Sequence, residues 1–594
     1  MGCDMFLREV WRNGAGFLPL LVVLIGFSVC STLLSELAHR GSLRRLMAWL
    51  RGHGNMLLAN ILLALALECL LAVATGSLYW TALLGFVCLY VPACISFFKY
   101  AARNEPLYAS DFRLFLAVFT VSDGSNAAWR KANVIPAVVM GAFFLFTIPS
   151  GEASLSPVLR VVCLCAAAVL FFAVLLAFLD LKRPDNSYMQ SGFAMGLLFN
   201  ILYHYSRKAA DHKALPAVDG AEENARNEAA QGGEAMRPDV VLVLSESFWD
   251  AAKLEGITFS EDPIPFFRKL SAGAVSGNLL VTPFGGGTCN VESEVLLGVV
   301  NRHFNVTDSF YHTFIKKPVP SLATAFRDRG YHTTALHTFN REFYMRDKAL
   351  ENMGFDEFRA EDEITEPRQS GRYLDDSHLT DMIVETLDNA DAPAFVFGIS
   401  MENHQPYTAK KFKEQTITVE GLGEDDVALR GAAEAYAHGL RDADRELERL
   451  VTYCQNRERP TVVLFFGDHL GALGADFALY RRCGLVAGEM GALGVEDVLN
   501  VYTPPFVLWS NYKEEAGKLD PIGANFLGAV LLEYIGMPKP AQFQYLETLW
   551  KHARCMSRED CFLDAEGKAT RRMTPDMRRL DAEYKAVSYR TMGM

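Results

Sequence analysis

The sequence predicts an α-helical membrane domain with five transmembrane helices, followed by an α/β domain with a mostly parallel central sheet. Apolar residues are concentrated in long runs within the first 181 residues, whereas the rest of the 594-residue chain has the composition of a water-soluble protein. Short β-branched strands then alternate with helical segments, which is typical of parallel sheets covered on both faces. The length also exceeds that of one ordinary domain.

The five apolar runs define a membrane domain over residues 1–181. They cover about 15–38, 55–76, 78–99, 133–149 and 157–181, and 133–149 is the shortest. About 20 apolar residues are needed to cross a bilayer core as a helix. The first run is an anchor and not a removed signal peptide, because four more runs follow it. Glu36 and Glu68 lie near span ends, where we expect interfacial positions.

An odd number of spans places the two chain ends on opposite sides of the membrane. Arg8 and Arg12 favour an N-terminus inside, but the arginines between the first two spans would then lie outside, against the positive-inside rule. The apolar residues from Leu43 to Leu50 share one helical face, which predicts an amphipathic helix in the headgroup layer. Charge alone leaves the orientation open. We expect the N-terminus inside and the α/β domain outside.

Residues 182–237 connect the two domains. Met189–Tyr205 has the composition of a helix on a membrane surface, and 214–236 is rich in Ala, Glu, Asn and Gly, as flexible linkers are. We expect the α/β domain to cover 238–550 and residues 551–594 to form a charged, peripheral tail.

Strands and helices alternate along the α/β domain. The predicted strands are 240–246, 275–282, 331–337, 394–401, 461–467 and 505–510, and the predicted helices are 288–300, 320–329, 346–353, 376–390 and 428–456. In such sheets ligands bind beyond the carboxyl ends of the strands. Glu246, His337 and Asp468 all fall at such ends.

Glu246, Asp468 and His469 form a candidate metal site. Each follows an apolar strand, and two carboxylates with one imidazole suit a hard or borderline divalent cation such as Mn²⁺, Mg²⁺ or Zn²⁺. For each residue alone, a solvated loop position is the alternative. Their shared position at strand ends favours metal binding.

Thr288 is the candidate nucleophile. The run Gly285-Gly286-Gly287 brings its hydroxyl to the start of a helix, whose N-terminus favours an anion such as phosphate. A threonine hydroxyl is a weak nucleophile unless a base or a cation lowers its pKa. The alternative is a helix cap in which Thr288 and Glu292 take part. The nearby strand-end ligands favour the nucleophile.

Charge and cysteine content restrict the partners and the compartment. The net charge of −13 argues against nucleic acid. Cys555 and Cys561 are close enough for a local disulfide if their side of the membrane is oxidising.

Five short motifs carry a resemblance to a known family. They are Ser-Glu-Ser-Phe-Trp-Asp at 245–250, Gly-Gly-Gly-Thr-Cys-Asn-Val-Glu-Ser-Glu-Val-Leu at 285–296, His337 through Arg346-Asp347, Asn403-His404, and Gly-Asp-His at 467–469. In this order they resemble the lipoteichoic acid synthases, membrane-bound phosphoglycerol transferases of the alkaline phosphatase and sulfatase superfamily. The five spans followed by an outer domain are similar to that family, so nearly the whole chain is covered.

The resemblance implies an alkaline phosphatase/sulfatase-like domain outside a bacterial cell membrane. One divalent metal, Mn²⁺ or Mg²⁺ in preference to Zn²⁺, would be held by Glu246, Thr288, Asp468 and His469. Thr288 would attack phosphatidylglycerol, release diacylglycerol and carry a glycerophospho group. A glycerophosphate polymer or a glycan would then accept the glycerol phosphate.

The resemblance also implies substrate contacts from His337, Asn340, Arg346 and His404. Arg346 suits a phosphate because its planar fork matches phosphate oxygens. His404 would protonate the departing alkoxide and later deprotonate the acceptor hydroxyl. Asp376 resembles a helix-start acid of the family, and we expect a structural role for it.

Three residues depart from the family pattern and leave the substrate and acceptor open. Tyr344 and Met345 stand where well-known members carry Trp and Asn, and Phe339 lies where they often place polar residues. The metal chemistry is little affected by these changes.

The same superfamily also includes sulfatases, phosphoethanolamine transferases and phosphodiesterases. Sulfatases derive formylglycine from a cysteine followed by proline and arginine, and the residues after Cys289 lack both. A phosphoethanolamine transferase or a phosphodiesterase stays open. A non-enzymatic scaffold that only binds glycerophosphate predicts degraded ligands, whereas all of them are present.

Overall fold

The computed structural model describes residues 17–103, 106–108, 131–146, 155–178, 191–210, 236–304, 309–488, 493–558 and 561–594. The chain divides into two compact units, Met1–Ala210 and Asp211–Met594. Arg8, Arg12 and almost all of the predicted linker 214–236 lie outside the described residues, as do the outer ends of three predicted spans.

The first unit consists of apolar helices. They are Phe17–Arg40, Leu43–Gly52, Gly54–Thr75, Leu78–Arg103, Lys131–Phe146, Pro157–Phe178 and Phe193–Ala210. In this described set, four helices contain a stretch long and apolar enough to cross a membrane, and they match four of the five predicted spans. The remaining predicted span, 133–149, corresponds to the shorter helix Lys131–Phe146 of 16 residues. The segment predicted to be amphipathic forms the helix Leu43–Gly52.

Two acidic residues of the first unit are buried. Glu36 Oε1 accepts a hydrogen bond from the Phe193 amide at 2.5 Å, and Oε2 accepts one from Arg40 Nε at 3.2 Å. Glu68 Oε2 accepts one from the Ser28 hydroxyl at 2.9 Å. Both side chains are therefore buried against other helices, and their interfacial depth stays a prediction. A buried carboxylate requires such partners, and of these only Arg40 is a near neighbour in the sequence.

The second unit contains an eight-stranded sheet. In chain order its strands are β1 Asp239–Ser245, β2 Val275–Leu280, β3 His332–His337, β4 Glu357–Arg359, β5 Ala394–Ile399, β6 Thr461–Gly467, β7 Pro505–Ser510 and β8 Gly517–Gly523. Their spatial order is β8-β2-β7-β6-β1-β5-β3-β4. Strand β7 is antiparallel to β6 and β2, and the other neighbours are parallel. The mostly parallel sheet is confirmed.

Two strands of the sheet were not predicted. Both β4 and β8 are edge strands. An edge strand has one unpaired side, so it needs no continuous apolar run and tolerates a residue such as Pro521. The remaining six strands match their predicted positions within two residues, because they carry the apolar runs of the sheet centre.

Two hydrophobic cores lie on the two faces of the sheet. Alternate residues of β1 divide between them, with Val240 and Leu242 in one core and Val241 and Val243 in the other. The helices of this unit are Pro265–Ala272, Thr288–Leu297, Phe310–Phe314, Leu322–Arg327, Arg346–Asn352, Ser377–Asp388, Val427–Gln455, Ala478–Arg482, Val495–Val501, Leu527–Tyr534, Ala541–Trp550 and Pro575–Thr591. All five predicted helices are among them.

Residues 551–594 are not a peripheral tail. Met577, Leu580 and Tyr584 on the last helix are buried in the same core as the sheet centre, and the Tyr584 hydroxyl donates to the Gly298 carbonyl at 2.6 Å. The high charge of the segment concealed an amphipathic helix, whose apolar residues recur every three or four positions. Its other face carries the charges.

The two cysteines near the C-terminus are not joined by a disulfide in the described chain. Both are buried, and Cys555 Sγ lies 3.0 Å from the Ser557 hydroxyl. The short sequence separation of Cys555 and Cys561 therefore allows a disulfide but does not require one.

The role of the last helix predicts a specific loss of stability. Leu580→Ala should lower the free energy of unfolding of a 236–594 fragment by about 2–5 kcal/mol, because it leaves a cavity in the main core. Arg578→Ala, at an exposed position on the same helix, should change it by less than about 0.5 kcal/mol. Denaturant unfolding measures both variants. Equal small effects would mean that the helix is dispensable to the core.

Candidate metal and nucleophile site

The site lies where β1 and β6 end side by side. These strands pair in parallel, with Ser245 opposite Gly467, so the residues that follow leave the sheet at the same edge. The structure thereby brings together Glu246, Asp468 and His469, whose ligand atoms all lie within 4.8 Å of one another. All three residues are buried. The carboxylates of Glu246 and Asp468 therefore lie close together although the two residues are far apart in the sequence.

The hydrogen bonds around Asp468 and His469 leave ligand atoms facing inward. Asp468 Oδ1 accepts the backbone N–H groups of Ser247 and His469, each at 2.8 Å. Asp468 Oδ2 has no hydrogen-bond donor among the residues the structure describes. His469 Nδ1 lies 3.1 Å from the Leu470 carbonyl, so Nδ1 carries the proton and Nε2 presents its lone pair 3.1 Å from Asp468 Oδ2. Asp468 Oδ2 and His469 Nε2 therefore lie close enough together to bind the same cation.

Glu246 completes this set. Burial first, and the neighbouring Asp468 second, raise the pKa of Glu246 well above its ordinary value. The Ser247 hydroxyl donates to Glu246 Oε1 at 2.8 Å, from a left-handed backbone with φ 55°. Two buried carboxylates repel one another unless a proton or a cation lies between them. The donor set therefore fits one divalent cation held by oxygen and nitrogen ligands.

Thr288 lies next to this set. Its hydroxyl donates to Glu246 Oε2 at 3.3 Å, and the residue is 4% exposed. The preceding Gly287 has a left-handed φ of 94°, and a Cβ there would lie 3.1 Å from Pro283. A glycine is therefore required for this turn.

The glycine turn is tied to the other loops of the site. The Gly285 amide donates to the Leu470 carbonyl at 3.1 Å, beside His469. The Gln405 side chain donates to the Gly285 carbonyl at 2.9 Å, beside His404. Three loops from distant parts of the chain are thus held in one arrangement.

Glu292 is not part of a helix cap with Thr288. The helix is capped by Gly287 without a side-chain bond, so the capping alternative is wrong. Glu292 instead accepts from Arg346 Nη2 at 2.5 Å and Nε at 3.2 Å, and from the Tyr311 hydroxyl at 3.0 Å. The sequence could not pair Glu292 with Arg346, because the residues are 54 positions apart.

His337 and Arg346 form one buried unit. Arg346 Nη1 donates to His337 Nε2 at 3.0 Å, and His337 Nδ1 donates to the Ile399 carbonyl at 3.0 Å. Burial first, and the charge of Arg346 second, lower the pKa of His337 well below its ordinary value. His337 is therefore neutral near pH 7, and both ring nitrogens are engaged within the protein. In this arrangement it positions Arg346.

His404 is held by residues that the sequence reasoning missed. Its Nδ1 lies 2.8 Å from the Gln405 carbonyl and 3.1 Å from the Tyr373 hydroxyl. Lys411 Nζ donates to the His404 carbonyl at 2.5 Å and to the Glu402 carbonyl at 3.0 Å. Burial lowers the pKa of Lys411 to about 8. No motif marked this lysine, because it acts on backbone groups.

Two further predicted residues lie in different surroundings. Asn340 is exposed, and its Oδ1 accepts the Glu342 amide at 2.8 Å in a turn. Asp376 is buried, and its amide donates to Glu402 Oε2 at 2.7 Å. Burial raises the pKa of Asp376 to about 7. Its bonds to Glu402 are those of a structural residue.

The sequence of the α/β domain matches a known protein family. The sulfatase family model matches residues 238–537, half of the chain. A Rhizobium meliloti protein, named as a candidate cyclic β-1,2-glucan modification protein, is 30% identical over 492 residues, covering 79% of this chain and 75% of that protein.

Two solved structures share the fold. The Streptococcus pyogenes phosphoglycerol transferase GacH, in complex with sn-glycerol-1-phosphate, has 21% identity and a TM-score of 0.51, over 62% of this chain and 90% of that chain. The Neisseria meningitidis lipooligosaccharide phosphoethanolamine transferase EptA has 14% identity and a TM-score of 0.52, over 86% of this chain and 95% of that chain. The second likeness extends into the apolar helices.

The raised pKa of Glu246 predicts that metal stabilisation depends on pH. Without metal, the protonated carboxyl stabilises the fold fully below its unfolded pKa, and this stability is lost as the pH rises through the raised folded pKa. Metal requires the carboxylate, so the Mn²⁺-induced rise in Tm should be larger at roughly pH 8 than at roughly pH 5. Glu246→Gln should remove most of the difference. The same rise at both pH values would contradict the assignment of Glu246 as a ligand.

The pair between Glu292 and Arg346 predicts an asymmetric double-mutant cycle. Glu292→Gln leaves a buried, unpaired guanidinium and should lower the free energy of unfolding by about 3–5 kcal/mol. Adding Arg346→Met should restore much of this loss, because no buried charge then remains. Glu515→Gln, which breaks an exposed pair with Lys513, should cost at most about 1 kcal/mol. A Glu292→Gln cost as small as this control would exclude a buried ion pair.

Proposed function

The chain belongs to the sulfatase family and is a multi-pass membrane enzyme; on this premise we propose that it transfers glycerol phosphate from phosphatidylglycerol to a glycan through a phospho-threonine. The observation that carries the proposal is the Thr288 hydroxyl at 3.3 Å from Glu246, beside the ligand atoms of Asp468 and His469. The proposed nucleophile therefore lies in the same buried site as the proposed metal ligands. This is the arrangement that an activated alcohol needs.

In the first step, the Thr288 hydroxyl loses its proton to solvent and its oxygen attacks phosphorus; the proton is regained from solvent when the second step frees this oxygen. A bond from Thr288 Oγ1 to phosphorus forms while the bond from phosphorus to the diacylglycerol oxygen breaks. A divalent cation held by Glu246, Asp468, His469 and Thr288, proposed to be Mn²⁺ or Mg²⁺, would supply a Lewis acid that lowers the pKa of the hydroxyl. Glu246 Oε2 orients the hydroxyl through the hydrogen bond described above.

Arg346 is assigned to the phosphate. Burial and Asp468 raise the pKa of Glu246, while the charge of Arg346 lowers it. The guanidinium therefore acts electrostatically on the pair formed by Glu246 and Thr288. Glu292 and His337 fix its orientation before substrate binds, so no reorganisation is required as charge develops on the phosphoryl group.

His404 is assigned to proton transfer. The Gln405 carbonyl accepts from Nδ1, so Nε2 is the nitrogen that exchanges a proton with substrate. It protonates the diacylglycerol oxygen as that group leaves. In the second step it takes the proton from the acceptor hydroxyl, whose oxygen attacks phosphorus and frees the Thr288 oxygen.

The donor and acceptor rest on the relatives. The structure of GacH, which shares this fold, contains sn-glycerol-1-phosphate, and the Rhizobium meliloti relative is named for glucan modification. The first supports glycerol phosphate as the transferred group, and the second supports a glycan as the acceptor in preference to a glycerophosphate polymer. We propose accordingly that the α/β domain lies outside the cell membrane. The likeness to EptA makes phosphoethanolamine the competing head group.

Trapping the covalent intermediate tests this proposal. The full-length protein in detergent, incubated with phosphatidylglycerol and Mn²⁺ without acceptor, should show a glycerophosphate mass added at Thr288 by peptide mass spectrometry. Thr288→Ala should show none, and Thr288→Ser should retain it because the hydroxyl remains. An adduct in Thr288→Ala would refute the nucleophile. If only phosphatidylethanolamine forms an adduct, the transferred group is phosphoethanolamine and not glycerol phosphate.

A further inference from the structure

A row of aromatic rings runs beside the site. Phe343 packs edge-on against Phe339 at 5.4 Å between ring centroids, and Phe339 packs edge-on against Tyr373 at 5.8 Å. Tyr373 in turn contacts the His404 ring at 5.4 Å. We call Phe343, Phe339 and Tyr373 the aromatic row. Its first member lies 5.6 Å from the Arg346 guanidinium, so the row extends from Arg346 to His404.

The hydrophobic cores do not account for two of these rings. Phe339 and Phe343 are partly exposed, and neither belongs to the two cores described around the sheet. The turn that carries them is strained, with left-handed φ values of 60° at Tyr344 and 57° at Met345. A left-handed backbone is unfavourable for any residue that carries a Cβ. Strain of this kind persists where the position of a turn serves a function.

The surroundings of the aromatic row are polar. Asn340 next to Phe339 is exposed. Arg341 pairs with Asp362 and Glu363, and the Arg372 guanidinium lies 5.8 Å from the Tyr373 ring. Ring faces bordered by charges and an amide suit a ligand with an apolar face and a hydroxylated edge. A lipid chain would instead require a continuous apolar surface.

A hexopyranose ring has this combination. The C–H groups of one face are weakly positive and pack against the negative face of an aromatic ring, while its hydroxyls reach the polar border. We propose that the aromatic row is the acceptor subsite, and that it stacks a glucose unit of a glucan so that one sugar hydroxyl faces His404. This inference rests on the proposed transfer to a glycan and specifies the residues that recognise the acceptor.

The test separates the donor step from the acceptor step in the full-length protein. Diacylglycerol release without acceptor reports the donor step, and transfer to a β-1,2-linked glucan oligosaccharide reports the acceptor step. For a reaction through a covalent intermediate, kcat/KM for each substrate reports its own step. Phe339→Ala should lower kcat/KM for the glucan about tenfold relative to the donor step. Phe339→Trp should restore it, whereas Phe339→Leu, which keeps bulk without a π face, should not.

Phe266→Ala is the matched control, since Phe266 is a partly buried ring on the helix Pro265–Ala272. It should leave the ratio of the two steps unchanged. An unchanged ratio in Phe339→Ala, or full function in Phe339→Leu, would overturn the stacking role. A loss confined to the donor step would assign the row to the lipid instead. If the wild-type protein forms no adduct at Thr288, the proposed function fails, while glucan binding to the Thr288→Ala variant by calorimetry still tests the subsite.

Discussion

Two carboxylates buried side by side are the constraint on which the site depends. Glu246 and Asp468 leave adjacent parallel strands at the same edge, within a few ångströms and away from water. Such a pair is costly without a counter-charge. The sheet tolerates it because backbone amides of Ser247 and His469 bond to Asp468 and the Ser247 hydroxyl bonds to Glu246. A cation at this point would relieve the remaining repulsion and would thereby couple metal binding to folding.

Thr288, the proposed nucleophile, lies in a turn that hydrogen bonds between loops hold in place. The glycine turn before Thr288 bonds to the loop of His469 and receives a bond from Gln405 in the loop of His404. The Glu246 amide donates to the Ser400 hydroxyl at 3.0 Å, which links β1 to the end of β5. Because these loops support one another, displacement of one changes the distances among Glu246, Thr288 and His404. Such preorganisation is what phosphoryl transfer requires.

The residues that depart from the family pattern lie in the segment just before Arg346. Met345 adopts a left-handed backbone conformation, which asparagine adopts at a lower cost than methionine. The chain retains this cost immediately before Arg346, so the turn itself is needed to place the guanidinium beside Glu292. Phe339 and Phe343 on the same turn then form a surface between Arg346 and His404. These departures lie beside Arg346 and not among Glu246, Asp468 and His469, so they fit a difference in the proposed substrate recognition better than one in metal binding.

The sequence alone determined the apolar helices, the strands at the sheet centre and the strand-end residues. Each of these follows from local periodicity or from a residue type at a strand end, and such signals need no distant partner. Only the tertiary structure decided the partners of Arg346, the positioning role of His337, the partly buried Lys411 bonded to the His404 carbonyl and the packing of the last helix into the core. These depend on contacts between residues far apart in the chain, and their energy comes from burial that exists only after folding.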